Sequence, residues 1–161
     1  MYRAGHLGVS LLVYAPLGFA LVLLGRSDLA VLGELCMLSL ATLPDTDHSI
    51  PFVSHRGSTH TVGFALLVGL AAGAVGWVFG GQAVGMSSEL AVFGFAIGTL
   101  AILAHLLGDV LTPMGIAPFW PLWNRRFTLR VTRADNTIAN FSLFGLGVFV
   151  TAGLILATEV L

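Results

Sequence analysis

The residues able to bind a metal ion or move a proton fall into four groups along the chain. His6 opens an apolar stretch. Leu43-Pro44-Asp45-Thr46-Asp47-His48 and His55-Arg56-Gly57-Ser58-Thr59-His60 follow one another closely, and His105 and Asp109 close a later apolar stretch. Four apart on a helix, His105 and Asp109 share one face, which suits joint capture of a metal and equally suits a hydrogen-bonded pair. His55 and His60 are five apart with a glycine between them, a spacing compatible with a loop ligand pair. Asp45-x-Asp47 resembles a fragment of a calcium loop, but the rest of that loop is missing and an EF-hand is excluded. Ser54, Ser58 and Thr59 lie near histidines without a Gly-x-Ser-x-Gly elbow, so serine catalysis is set aside. A lone histidine on an apolar helix, such as His6, is by itself an ordinary structural residue.

The elements that must position these groups are membrane helices. Of 161 residues, 57% are hydrophobic and only 9% charged, against ~25% charged residues in soluble domains. Mean hydropathy is +0.95, which excludes a water-soluble globule. Seven arginines, no lysine and a formal net charge of −1 exclude a nucleic-acid-coating protein. The lone Cys36 excludes a disulfide framework and a cysteine-rich zinc module. About 20 apolar residues cross a bilayer, and residues 7–25, 61–80, 90–112 and 138–158 qualify. Pro16 is expected to kink the first, and Gly69/Gly73 and Gly76/Gly80 give the third the spacing that lets helices approach closely. Residues 29–43 form a shorter second span carrying Glu34, expected near the interface or paired inside the bundle. The fold expected is one all-α domain over residues 1–161, a membrane bundle of about five helices.

Five spans place the N-terminus and residues 45–60 and 113–137 on one side. That side carries Arg3, Arg56, Arg125, Arg126, Arg130 and Arg133, the other only Arg26. The arginine bias puts the first side in the cytoplasm, with Trp120 and Trp123 at that interface and Trp77 at the opposite one. All four chemical groups then emerge together on the cytoplasmic side, which turns scattered weak signals into a candidate metal site. Imidazole and carboxylate without thiolate suit zinc foremost, with manganese or iron compatible. The number of donors allows two ions, which could activate water for phosphoryl displacement. Arg56 could hold a phosphate oxygen or touch lipid phosphate as an interfacial arginine. Arg125, Arg126, Arg130 and Arg133 read as an anchor against anionic headgroups. Asn136 and Asn140 share a helix face beside the site.

The ordered set from Met1 and His6 through Leu43–His48, His55–His60, His105-x3-Asp109-x2-Thr112-Pro113-x-Gly115 and Phe119-Trp120-Pro121 resembles the YdjM-like family of membrane-bound, metal-dependent hydrolases. These are described as LexA-regulated inner-membrane proteins. The resemblance runs to about Pro121. It implies a multi-span helical protein and a metal-dependent hydrolase, with motif positions at His6, Asp45, Asp47, His55, Arg56, His60, His105 and Asp109; His48 matches less closely. The His-x3-Asp pair is also similar to that of zinc-dependent phospholipase C and P1-type nucleases, which tilts the substrate toward a phosphoester. The expected activity is therefore hydrolysis of a phosphoester, such as a phospholipid headgroup, at the cytoplasmic interface. His6, Asp45, His60, His105 and Asp109 would be core ligands, and Asp47 and His55 would complete a second metal or serve as base. The alternative is a non-enzymatic membrane protein, either a metal or proton transporter or an adaptor. Transport sites usually lie near the bilayer midplane, where only Glu34 is available.

Overall fold

In the computed structural model, which describes residues 1–49, 56–83 and 85–158, the described chain is helical. Its long helices are α1 (Arg3–Leu23), α2 (Ser27–Leu40), α3 (Val62–Ala83), α4 (Ser87–Val110) and α5 (Thr137–Thr158). Two short 3-10 segments, Pro44–Ser49 and Ser58–His60, join α2 to α3. The one extended pairing among the described residues is an isolated bridge between Ile116 and Phe127. The five expected spans are present, and α1 runs through Pro16. Large apolar side chains such as Leu70 and Phe79 on α3, Val92 on α4 and Phe149 on α5 face outward. Such surface is stable only under lipid. The chain is a membrane protein.

The second span is built differently from the rest. At 1.5 Å per residue the 14 residues of α2 cover roughly 21 Å, short of a hydrocarbon core of ~30 Å. Pro44 cannot continue the helix, since its ring lacks an amide proton and restricts the residue before it. The chain completes the crossing as the 3-10 segment, and an apolar span of 23 residues, Ser27–Ser49, results. Irregular backbone at such depth must be covered by protein. Pro44 and Asp47 are accordingly buried, and this turn delivers Asp45 and Asp47 into the bundle.

Two helix pairs dominate the packing, α3 with α4 and α1 with α5, while α1 and α2 also lean on α4. Both main pairs depend on missing side chains. A Cβ on Gly94 would lie 2.5 Å from the Ala72 carbonyl oxygen, and one on Gly147 2.8 Å from the Gly8 carbonyl oxygen. Tyr14 joins α1 to α2 by donating its hydroxyl proton to the Ala30 carbonyl at 2.8 Å. Glu34 is not paired as expected. Its Oε1 is buried without a hydrogen-bond partner, beside an apolar cavity of about 210 Å³ between α1, α2 and α5.

Overpacking at Gly94 and Gly147 should be felt directly. Gly94→Val and Gly147→Val are each expected to lose about 1–3 kcal/mol or more, read as a lowered thermal midpoint in detergent. Gly153→Ala, whose added Cβ meets open space, should leave the midpoint unchanged; a loss there equal to those at Gly94 and Gly147 would contradict this packing.

Candidate metal centre

α1 begins, α2 ends, α3 begins, α4 ends and α5 begins at the same end of the bundle, and the chemical residues gather there. His6 comes from the second turn of α1, Asp45 and Asp47 from the 3-10 segment after α2, His60 from the one before α3, and His105 and Asp109 from the last turns of α4. The donor atoms of His6, Asp45, His105 and Asp109 all lie within 4.8 Å of one another. His60 Nε2 adjoins them, 3.3 Å from Asp109 Oδ2, 3.4 Å from Asp45 Oδ1 and 3.2 Å from His105 Nε2. His6 and His105 stack with ring centroids 3.8 Å apart, an approach that Gly108 allows, since a Cβ there would sit 2.9 Å from His6 Nδ1. His6, His60, His105 and Asp109 are fully buried. Asp45 is the open member, with 27% of its side chain exposed.

The hydrogen bonds behind the cluster fix where the lone pairs point. The Ala41 carbonyl has no proton to give, so His105 Nδ1, at 2.8 Å, must donate to it. That leaves Nε2 as an acceptor facing the cluster, the usual arrangement of a metal-binding imidazole. At His60, Nδ1 lies 2.9 Å from Thr59 Oγ1, which in turn donates to Asp47 Oδ2 at 2.9 Å. A neutral His60 therefore also turns its Nε2 lone pair inward. With both rings neutral, two such lone pairs 3.2 Å apart and ringed by carboxylate oxygens repel, and a proton or a metal ion between them relieves the repulsion. Both ring nitrogens of His6 and Oδ2 of Asp109 are buried without hydrogen-bond partners. Orphaned donors of this kind fit a divalent ion.

Asp109 is the most elaborately held. The Met1 α-amino group donates to its Oδ1 at 2.7 Å and Arg56 Nη2 to the same atom at 2.6 Å. Arg56 is itself buried, and its Nη1 donates to Thr112 Oγ1 at 3.0 Å and to the Gly115 carbonyl at 3.2 Å. Its backbone amide donates to Asp47 Oδ2 at 3.1 Å, and its φ of 58° lies in the left-handed region that non-glycine residues enter only when held there. An interfacial arginine touching lipid phosphate is thus excluded for Arg56. Asp47, expected as a ligand or base, lies outside the close donor group, and its Oδ2 instead accepts from the Arg56 amide and from Thr59 behind the His60 ring. His48 is exposed at the mouth, and His55 lies outside the described residues.

Several contributors carry no advance signal of their role. Thr59 and Thr112 act through single hydroxyls, and Ala41 through a carbonyl that any residue would offer. Asn140, buried at the start of α5, accepts from the Tyr2 amide at 3.0 Å and donates to the Ala134 and Asn136 carbonyls. It ties the segment ahead of His6 to α5. Asn136 caps the start of α5, its Oδ1 accepting from the Ala139 amide at 3.1 Å. The returning loop closes α4, with Leu129 and Val131 amides donating to the Val110 and Leu111 carbonyls.

The family model described as YdjM inner membrane protein matches residues 1–160, and the chain belongs to that family. No curated protein and no solved structure matches it.

Burial by itself would lower the His60 pKa, but the Asp109 and Asp45 carboxylates lying 3.3 and 3.4 Å from its Nε2 outweigh this and hold it above the ordinary value. In the metal-free protein, His60 then contributes stability that is complete below about pH 6.5 and lost as pH rises through the raised value. Metal ligands must be deprotonated, so the stabilisation added by metal grows over the same rise. The thermal midpoint of metal-free protein in detergent should fall above about pH 6.5, the increment from added zinc should widen, and His60→Gln should flatten the metal-free trend. A metal-free midpoint that climbs through this range contradicts the arrangement.

Proposed function

We propose that this YdjM-family chain is a membrane-embedded, metal-dependent hydrolase that cleaves a phosphoester, such as a phospholipid headgroup, at the cytoplasmic interface. The observation that carries the reading is the buried convergence of His6, Asp45, His60, His105 and Asp109 with orphaned donors and inward lone pairs. A divalent ion held there, zinc foremost with manganese or iron compatible, would supply Lewis acidity toward a phosphoryl oxygen and make water nucleophilic at neutral pH. The described donors form one compact group, suited to one ion. A second ion would need donors beyond this group, such as Asp47 or His55.

The chain's own residues divide the remaining work. Asp47, through Thr59, keeps the His60 ring in place, and the Ala41 carbonyl does the same for His105. Arg56 and the Met1 amine pair with the buried Asp109 carboxylate and fix its position. Asp45, the carboxylate open to the cavity, is placed to orient the attacking water and accept its proton; Asp47 faces away from that space, so the base assignment moves to Asp45. A cavity of about 600 Å³ reaches the cluster past Asp45 and Arg56, the size of a small-molecule site. With Arg56 withdrawn into the protein, Arg3, Arg125, Arg126, Arg130 and Arg133 still stand against Arg26, which supports the cytoplasmic orientation. Exposed Trp120 and Trp123 beside this end suit a headgroup-level position, and Arg125 lies over the Trp123 ring at 5.8 Å.

Purified wild type should carry about one divalent transition metal per chain, and Asp109→Ala should lose most of it. Substoichiometric metal that is unchanged in Asp109→Ala would sink the site. For the activity, membranes incubated with wild type or His60→Ala are compared by mass-spectrometric lipid profiling. A new product seen only with wild type is expected; identical profiles, together with metal flux into proteoliposomes, would make the protein a transporter.

A further inference from the structure

The cavity that opens onto Asp45 and Arg56 is also lined by Arg133 and Asp135, from the segment ahead of α5, with Met1, Tyr2 and Met114 among its other walls. Its volume of about 600 Å³ exceeds what one phosphoryl group needs, so a ligand that fills it extends well beyond the reacting centre. Arg133 is 80% exposed as a side chain, and its Nε and Nη2 both donate to Asp135, each at 3.0 Å. Neither bond engages Nη1. An ion pair this exposed is weak, and a phosphate or carboxylate offers the guanidinium a stronger, bidentate partner.

Arg56 is committed to Asp109, Thr112 and Gly115. Arg133 is thus the arginine lining this cavity that can change partner without opening the metal centre. We propose that Arg133 is a specificity-determining residue, which leaves Asp135 to bind a second anionic group of the substrate. The site thereby prefers phosphoesters carrying two separated anionic groups over singly phosphorylated ones. This deepens the hydrolase reading and rests on it for the reacting end, but the binding preference can be read without any turnover. Asp135 acts as the internal competitor that occupies Arg133 until such a ligand arrives.

Opposite signs at the two partners separate this role from a merely structural ion pair. The test uses the full chain in phosphatidylcholine nanodiscs, zinc-loaded, with equilibrium binding of glycerol phosphate and glycerol bisphosphate as probes and metal content measured alongside. Wild type should bind the bisphosphate about tenfold more tightly. Arg133→Ala should erase that preference at unchanged metal content, Arg133→Lys should restore part of it, and Asp135→Asn should strengthen bisphosphate binding severalfold. Retention of the preference in Arg133→Ala, or weakening by Asp135→Asn to the same extent, overturns the proposal. A second arm adds phosphatidylglycerol phosphate, a lipid with two phosphates, to the nanodiscs. Inhibition of bisphosphate binding that is strong in wild type and weaker in Arg133→Ala identifies a lipid headgroup as the natural source, and undiminished bisphosphate binding identifies a soluble phosphoester. If the preference depends on Arg133 while no lipid or soluble phosphoester is hydrolysed, the hydrolase reading fails and the binding role stands.

Discussion

A carboxylate without exposure sets the terms for this end of the bundle. An ionised group removed from water loses several kcal/mol of solvation, which only close partners can offset. Asp109 stands on the last turn of α4, where helix carbonyls also disfavour negative charge. The surrounding chain answers with the Met1 amine and the Arg56 guanidinium. Each answer fixes a different segment. The amine seats the start of α1, Arg56 seats the turn before α3 and, through Thr112 and Gly115, the loop after α4. One buried charge therefore links segments far apart in sequence.

Bringing those segments together requires irregular backbone near the membrane, and the fold satisfies its polar groups one by one. Pro44 shortens α2, so the Asp45–Asp47 turn sits inside protein where a regular helix would have carried those carboxylates outward. The Val62 amide at the start of α3 donates to the Pro118 carbonyl, and the amides of Leu129 and Val131 take up the last carbonyls of α4. Loop residues that look like connection in the sequence are thus the caps that let the ligand-bearing helix ends stay fixed in place. The same logic explains the asymmetry of the bundle. Its far half is held by close helix contacts at glycines such as Gly94, with Glu34 left unpartnered, while the near half holds the charges that need partners.

How much of this was legible in the sequence follows from the physics of each signal. Hydropathy fixes spans because crossing a bilayer demands long apolar runs, and the five helices lie where those runs are. The convergence of the candidate donors His6, Asp45, His60, His105 and Asp109 was legible because ionisable residues next to apolar spans are scarce, and topology put them at one end. What such counting cannot show is direction. Asp45 and Asp47 are two residues apart and chemically identical, yet one faces the cavity and the other backs His60. That difference is set by the 3-10 geometry after Pro44. Arg56 read equally well as a lipid anchor, because its burial depends on Asp109, Thr112 and Gly115, all more than fifty residues away. Asn140 was legible as a polar residue on the helix face beside the site, but its bonds to the Tyr2 amide and the Ala134 carbonyl, like the role of the Ala41 carbonyl, are not announced by any spacing.

The stacking of His6 on His105 draws the last connection between packing and chemistry. Those rings are 3.8 Å apart and within 8° of parallel, although they belong to helices running in opposite directions through the bilayer. Their register depends on the depth at which α1 lies against its neighbours, and two contacts set that depth. At one end Asn140 binds the Tyr2 amide; within the bundle the Gly8 carbonyl presses against Gly147. α5 donates no ligand to the cluster, yet both contacts come from it. A helix that slid by a single residue would move its side chains about 1.5 Å along the axis, enough to separate His6 Nε2 from the Asp45 and Asp109 carboxylates, which lie at 3.7 and 3.6 Å. The donor geometry is therefore a property of how α1 and α5 fit, and the small residues between them position the site as surely as the ligands compose it.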